Sequence, residues 1–184
     1  MSNHYFLAAL LPNEMKKSLW QVTQQMQQEL NFKSWVYKED YHITLAFLGE
    51  ASQEQLEQVN TDILHDIKRI PSFTLKIDHF GTFGNSNKPR ILWAGIEQSH
   101  ELMELQKMIY HHCLRAGFQL DRRPFNPHIT LARKWRDEKA FQQDVLSTYR
   151  TDTQQSFIIE QAVLYQTHLD QLPKYEVKKQ FVLG

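Results

Sequence analysis

The spacing of apolar positions along the chain predicts an alternation of short strands and amphipathic helices. Apolar residues three or four apart predict helices over residues 12–30, 52–69 and 99–117, and a shorter helix over 138–146. Apolar runs and alternating patterns predict strands over residues 4–11, 35–37, 42–49, 73–80, 90–96, 128–132, 157–166 and 175–183. Polar and turn-forming residues predict a loop over 81–89 and a hairpin connection over 168–173. The pattern as a whole indicates a mixed fold of strands and helices.

The pentapeptide His-Ile-Thr-Leu-Ala occurs twice, at residues 42–46 and 128–132. Because side chains alternate along a strand, the histidine and threonine of each copy share one face, and the isoleucine and leucine share the other. The copies lie 128 − 42 = 86 residues apart, nearly half of the 184-residue chain. We therefore infer two similar lobes that face each other, within one domain spanning residues 1–184.

The repeated histidines suit acid–base chemistry on a phosphodiester. A histidine pKa of about 6.5 lets one imidazole accept a proton while another donates one. Cleavage without a metal needs that pair and also donors that hold the phosphoryl oxygens. His42 and His128 are the candidates for proton transfer, and Thr44 and Thr130 are the candidate donors. Arg133, directly after the second copy, would add positive charge, although strict alternation sends it to the Ile129 face unless the strand bends or ends there.

Composition limits the classes of partner and the cellular location. The 21 basic and 21 acidic residues balance, so we expect no binding of long duplexes, which normally requires a basic surface. The single cysteine, Cys113, excludes an internal disulfide, and the first residues do not have the pattern of a signal peptide. The longest apolar run, residues 5–12, is too short to span a bilayer. We expect a cytoplasmic protein that is not bound to a membrane.

Phe47 and two arginines are further candidates for contact with a nucleic acid. Phe47 is suited to stacking on a base, but alternation places it with Ile43 and Leu45, so we expect it to pack in the core. Arg122 and Arg123 are equally compatible with binding of RNA phosphates and with an ordinary exposed surface. The neighbouring residues Phe125 and Asn126 are undecided in the same way.

The remaining reactive side chains are expected to have no role in catalysis or metal binding. His111 and His112 precede Cys113, but adjacent residues of a helix do not face one another, and no partner motif for a metal is present. We expect both histidines on a solvated helix surface and the cysteine in the core. Three further basic residues are expected on a solvated face: Lys134, Arg136 and Lys139.

The sequence around the two pentapeptides resembles a known family. The two HxTL words look like the paired signature of the 2H phosphoesterase superfamily. Four longer phrases resemble the bacterial RNA 2′,3′-cyclic phosphodiesterase branch, also called 2′-5′ RNA ligase or LigT-like: YHITLAFLGE, RPFNPHITLAR, HYFLAALLP and ILWAGI. The resemblance extends from about His4 through Arg133.

The resemblance implies a fold, an activity and roles for the site residues. The fold would be α+β and bilobal, with two antiparallel sheets forming a central cleft, helices packed outside and pseudo-twofold symmetry. The activity would be metal-independent hydrolysis of terminal RNA 2′,3′-cyclic phosphates, or of small cyclic nucleotides, to 2′-phosphomonoesters, without a cofactor. His42 would donate a proton to the leaving 3′ oxygen and His128 would activate water, while Thr44, Thr130 and Arg133 would bind the phosphate.

Other functions are compatible with the same residues. A 2H phosphoesterase could instead act on 2′-5′ linked oligonucleotides or on a cyclic ADP-ribose phosphate. The chain could also be a non-catalytic module that binds RNA ends. Weak reversible 2′-5′ ligation is a possible side activity, because the sequence contains no motif for activation by ATP. We expect a monomer.

Overall fold

The fold was analysed from a computed structural model, which describes residues 4–149 and 156–184. The strands in these residues are β1 His4–Leu10, β2 Phe32–Trp35, β3 His42–Glu50, β4 Phe73–Gly84, β5 Pro89–Ile96, β6 His128–Trp135, β7 Ser156–Ile159, β8 Gln161–Thr167 and β9 Tyr175–Val182. The α-helices are α1 Asn13–Glu29, α2 Gln53–Asp66 and α3 His100–Arg115. Short 3₁₀ segments cover Lys38–Asp40, Ile67–Arg69 and Gln143–Thr148. None of the helices in the described ranges has the length and apolarity that a membrane span requires.

The strands form two antiparallel sheets. The first sheet has the order β3-β1-β8-β9, and the second has the order β2-β6-β5-β4-β7. The two pentapeptides begin β3 and β6, so each sheet carries one copy. The α+β fold with two antiparallel sheets, predicted by the family resemblance, is confirmed.

Hydrogen-bonding side chains set the starts of α2 and α3. Ser52 and Gln55 form a reciprocal capping box at the start of α2. The Ser99 side chain accepts a hydrogen bond from the Leu102 backbone at the start of α3. These caps satisfy backbone N–H groups that have no partner within the helix.

A continuous core of buried side chains joins both sheets and the three α-helices. In β1, Leu7 and Ala9 point into this core, while Phe6 and Ala8 point to the other face of the sheet. Phe6 and Ala8 form a small separate cluster there with Val163 and Tyr165 of β8. One face of the first sheet is thus covered by the core, and the other carries a patch of aromatic side chains.

The strand predicted over residues 157–166 is wrong, because it is two strands in different sheets. The chain leaves β7 at Ile159 and enters β8 at Gln161, with Glu160 between them. β7 pairs with β4 in the second sheet, whereas β8 pairs with β1 in the first. β7 alternates exposed and buried residues, whereas β8 is buried on both faces, so the apolar pattern continues almost unbroken through the change of partner.

Smaller differences from the sequence predictions concern boundaries. The loop predicted over 81–89 is a tighter hairpin, because β4 continues to Gly84 and β5 begins at Pro89. The helix predicted over 138–146 is instead the 3₁₀ segment Gln143–Thr148. The short strand predicted over 35–37 lies earlier, as β2 Phe32–Trp35, and it pairs with β6 of the second sheet although it precedes β3 in the chain.

His112 does not lie on a solvated helix surface, as the sequence analysis expected. Its side chain is buried between α3 and α2, with Nε2 3.1 Å from Asp66 Oδ2 and Nδ1 3.9 Å from Asp62 Oδ2. His112 lies three residues after Ile109, so it shares the buried face of α3. His111 is exposed, and Cys113 is buried as predicted.

Candidate active site

The two pentapeptide histidines are held by the same backbone contact. His42 Nδ1 lies 2.7 Å from the Asp40 carbonyl oxygen, and His128 Nδ1 lies 2.7 Å from the Asn126 carbonyl oxygen. A carbonyl oxygen only accepts hydrogen bonds, so Nδ1 of each neutral ring carries the proton and donates. Nε2 of each ring is left as the atom that can accept or deliver a proton at the site.

Thr44 extends this arrangement in the first copy. Its hydroxyl oxygen lies 3.0 Å from His42 Nε2, as expected for residues that share one face of a strand. Nε2 is unprotonated in this tautomer, so the hydroxyl donates. A threonine donor and a proton-transfer atom therefore lie side by side.

Both pentapeptide strands contain a β-bulge at the same position. In β3, Thr44 and Ala46 pair with consecutive residues of β1, so Leu45 is an extra residue. In β6, Thr130 and Ala132 pair with consecutive residues of β5, so Leu131 is the extra one. The leucine and alanine of each copy are all buried. Alternation therefore restarts one residue late, and the residue after each pentapeptide returns to the histidine face.

The bulges change the environment of Phe47 and Arg133. Phe47 is 57% exposed, so the expectation that it packs in the core is wrong. Arg133 is exposed as well, and it does not follow the strict alternation that would point it away from the site. The two residues occupy the same position after the two copies, with an aromatic ring on one sheet and a guanidinium on the other.

Arg133 connects the two halves of the site. Its guanidinium lies beside Tyr175 of β9, in the first sheet, where its charge opposes the rise that burial causes in the pKa of the phenol. Its charge disfavours protonation of both His42 and His128, and the charge of His128 acts on His42 in the same direction. Since β3 and β6 are also in contact, the structure brings the histidines of both copies and Arg133 into one electrostatic environment.

Aromatic rings surround His42. The ring centroids of Phe6, Tyr175 and Tyr165 lie 4.8, 5.1 and 6.1 Å from the imidazole centroid. Phe6 and Tyr165 belong to the small cluster on the face of the first sheet that lies away from the main core. These three residues come from strands far from the pentapeptide in the chain, so no local sequence pattern indicates them.

Burial lowers the pKa of His42 to about 4, since the rings around it cannot solvate a charge. The Asp40 carbonyl, which accepts from Nδ1, opposes this shift, while the nearby charges of Arg133, His128 and Lys16 add to it. The unliganded protein therefore holds His42 neutral at physiological pH.

His128 is less enclosed than His42, and its pKa is shifted in the same direction. The Phe83 ring meets it edge to face, with centroids 4.9 Å apart. Burial lowers its pKa, the Asn126 carbonyl opposes the shift, and the charge of Arg133 adds to it. Both imidazoles are thus tuned toward the neutral form in the absence of an anion.

Asp40 links His42 to the segment that contains Lys174 and Tyr175. Its side chain is buried, and its carboxylate oxygens accept from the backbone N–H groups of Lys174, at 3.0 Å, and Tyr175, at 3.2 Å. The neighbouring Glu39 carbonyl accepts from the buried Lys16 ammonium at 2.8 Å. An extended repeat, Asp or Asn two residues before each pentapeptide, was the sequence signal that could have drawn attention to Asp40 and Asn126.

The other sequence candidates are a set of exposed basic residues and one buried thiol. Arg123 is exposed and pairs with Asp121, and Arg122 is exposed too. Burial raises the pKa of the Cys113 thiol to about 12, so it is not a nucleophile at neutral pH. Lys134, Arg136 and Lys139 lie on the exposed surface, as expected. Across residues 4–149 and 156–184, no three His, Cys, Asp or Glu side chains are grouped so as to hold a metal ion.

The sequence matches the model of a known protein family over most of its length. The model of the 2′-5′ RNA ligase superfamily matches residues 15–171. The chain belongs to the 2′-5′ RNA ligase superfamily. This membership confirms the family resemblance carried by the HxTL words and their flanking phrases.

Two relatives and one solved structure show the extent of the similarity. An RNA 2′,3′-cyclic phosphodiesterase of Bacillus subtilis is 34% identical over 98% of this chain and 97% of its own length. One of Geobacillus stearothermophilus is 39% identical over 98% of this chain, which spans only 57% of that longer protein. The crystal structure of Escherichia coli LigT complexed with 3′-AMP has a TM-score of 0.81 at 25% identity, covering 100% of this chain and 99% of that one.

Proposed function

We propose that this superfamily member hydrolyses 2′,3′-cyclic phosphates at RNA ends to 2′-phosphomonoesters, without a metal or other cofactor. The observation that carries the proposal is the pair of equivalent histidines beside Arg133, each with Nδ1 donating to a backbone carbonyl and Nε2 unprotonated. Relatives named RNA 2′,3′-cyclic phosphodiesterase and the LigT complex with 3′-AMP support the substrate class.

Hydrolysis needs one proton taken from water and one given to the ribose. A water oxygen attacks phosphorus while His128 Nε2 accepts its proton, and the bond from phosphorus to the 3′ oxygen breaks. His42 Nε2 gives a proton to that leaving oxygen. The product keeps the phosphate on the 2′ oxygen and has a free 3′ hydroxyl.

His42 can act as the donor only if the substrate changes its protonation. Its pKa of about 4 keeps it neutral in the free protein. A bound cyclic phosphate carries a negative charge, which favours a protonated imidazole beside it and raises its pKa. Substrate binding would therefore protonate His42, and the reaction would transfer this proton to the 3′ oxygen.

The other candidate residues hold the phosphate. Thr44 and Thr130 supply hydroxyl donors to the phosphoryl oxygens, and Arg133 supplies a fixed positive charge. The hydroxyl of Thr44 lies 3.0 Å from His42 Nε2, so an oxygen bound by this threonine would also be within reach of the proton donor. Stabilisation of developing charge by fixed donors needs little reorganisation during the reaction.

The broader assignments follow from this proposal. We propose that residues 1–184 act as a single bilobal domain on RNA ends or small cyclic nucleotides. Reaction with a 5′-hydroxyl in place of water would give weak, reversible 2′-5′ ligation. A monomeric state and a cytoplasmic location stay predictions from the sequence.

A direct assay tests the proposal and its alternatives together. We expect the protein to open a 2′,3′-cyclic mononucleotide to its 2′-phosphate in the presence of EDTA, because the histidines supply the acid and base. Phosphorus NMR identifies the 2′-phosphate product. The same assay with 2′-5′ linked oligonucleotides and with cyclic ADP-ribose phosphate ranks the other substrate classes.

Two outcomes would contradict the proposal. Loss of activity in EDTA, restored by a divalent ion, would assign the chemistry to a metal. Binding of cyclic-ended RNA without any product would leave the chain as a module that binds RNA ends.

Phe47 is suited to contact the base of the terminal nucleotide. We expect Phe47→Ala to raise KM for a cyclic mononucleotide about tenfold, because stacking on an aromatic ring contributes about 1–3 kcal/mol per base. Binding of inorganic phosphate should be unchanged, since phosphate has no base. Exposed Leu64 of α2 offers a matched control, Leu64→Ala. An equal rise in KM for both variants would contradict the stacking role.

A further inference from the structure

A cleft of about 540 Å³ lies next to Arg133 and Tyr175. The cleft is also lined by residues 34–37, by Asp40 and by the connection between β8 and β9. The volume falls within the range of about 300–1,000 Å³ that is typical of small-molecule sites. Arg133 and Tyr175 line the cleft and also belong to the candidate active site, so the cleft is continuous with that site.

We propose that this cleft binds the nucleotide that precedes the cyclic end of an RNA strand. The inference rests on the proposed function and adds a substrate subsite to it. In a 2′,3′-cyclic end, both the 2′ and the 3′ oxygen of the last ribose are bound to the cyclic phosphate. The strand can continue only from the 5′ oxygen, so the group linked there must leave the site through a neighbouring space.

The side chains that line the cleft match a nucleotide. Trp35 and Tyr37 present half-buried aromatic rings, on which a base can stack without regard to its identity. Lys174 also lines the cleft and is exposed, so its ammonium can approach the phosphodiester between the last two nucleotides. Phe47 does not line this cleft, so the terminal base and the preceding base have separate aromatic partners.

The segment that contains Lys174 is hydrogen-bonded to Asp40, two residues before His42. Asp40 is 3% exposed, and its carboxylate accepts from the backbone N–H groups of Lys174 and Tyr175. The carbonyl of the same residue accepts from His42 Nδ1. A buried carboxylate thus holds the cleft in a set position relative to the proton-transfer atom, and a nucleotide bound there would help to align the cyclic phosphate.

Comparison of substrate lengths tests the subsite. We expect kcat/KM for a dinucleotide with a 2′,3′-cyclic end to exceed that for the cyclic mononucleotide by about fivefold or more. Lys174→Ala removes only the side chain beyond Cβ and keeps the backbone N–H that binds Asp40. This variant and Tyr37→Leu should each reduce the advantage of the dinucleotide. Lys179→Ala, which removes an exposed lysine of β9 outside the cleft, is the matched control.

Binding of the products keeps the test informative if turnover is absent. Calorimetry compares the dissociation constants of a dinucleotide 2′-phosphate and a nucleoside 2′-phosphate for each variant. Tighter binding of the dinucleotide that is lost in Lys174→Ala, but not in Lys179→Ala, supports the subsite even if the proposed hydrolysis fails. Equal affinity for both lengths, or equal losses in both lysine variants, overturns the subsite whether or not the cyclic mononucleotide is hydrolysed.

Discussion

Replacing either His42 or His128 with asparagine is expected to lower kcat for cyclic phosphate hydrolysis by about 10²- to 10⁴-fold, the usual contribution of a positioned acid or base. Asparagine approximates the size of the imidazole near the backbone, but it cannot exchange a proton at neutral pH. KM should change much less than kcat, because Thr44, Thr130 and Arg133 remain to hold the phosphate. Steady-state kinetics on a cyclic mononucleotide measures both parameters.

The double variant gives a sharper test of a shared proton-transfer role. Residues that act as a unit have strongly non-additive effects, so the double variant should be only slightly slower than the worse single variant. His111→Asn, at an exposed position of α3, is the control for loss of a histidine as such. If either site variant keeps the activity of this control while its thermal melting is unchanged, that histidine has no part in proton transfer.

The repeated pentapeptide made the shared strand face of each histidine and threonine predictable from the sequence, while their roles at the site stay predictions. A strand fixes the relative direction of residues two apart, so each histidine and threonine pair could be placed on one face without a structure. Ser52 and Ser99 were predictable for a similar reason, since a helix cap depends on residues within one turn. Features set by local geometry were therefore predicted well.

The environment of Phe47 and Arg133 was not predictable in this way. Each β-bulge depends on how β3 or β6 pairs with its neighbouring strand, and the pentapeptide alone does not specify that register. One extra residue reverses the face of everything that follows it. Strict alternation therefore wrongly assigned Phe47 to the core, and at the equivalent position it argued against Arg133, which was nevertheless kept as a candidate.

The aromatic surroundings of His42 depend on contacts between distant parts of the chain. Phe6 is in β1, whereas Tyr165 and Tyr175 are in the last two strands, more than a hundred residues from His42. These strands join the first sheet because the chain changes sheets at Glu160. The low pKa of His42 is thus a consequence of topology, and no local pattern in the sequence contains it.

This low pKa predicts that anion binding is coupled to proton uptake. In the free protein the pKa of His42 is about 4, so the ring is neutral above that value. An anion beside the ring favours its charged form and raises the pKa in the complex. Between the lower and the raised pKa, binding must take up a proton, so affinity is greatest at low pH and falls as pH rises. For one proton, the dissociation constant should increase about tenfold per pH unit within that window.

Sulfate is a suitable probe because it stays a dianion across this range, whereas phosphate itself titrates. We expect calorimetry from pH 5 to 7 to show weaker sulfate binding at each higher pH, with proton uptake revealed by buffers of different ionisation enthalpy. His128 adds to the slope because burial lowers its pKa too, so His42→Asn should remove part of the dependence and the double variant nearly all of it. His111→Asn should leave the slope unchanged. Sulfate affinity that is independent of pH in the unmodified protein would mean that no imidazole gains a proton beside the anion, and His42 could not then serve as the acid.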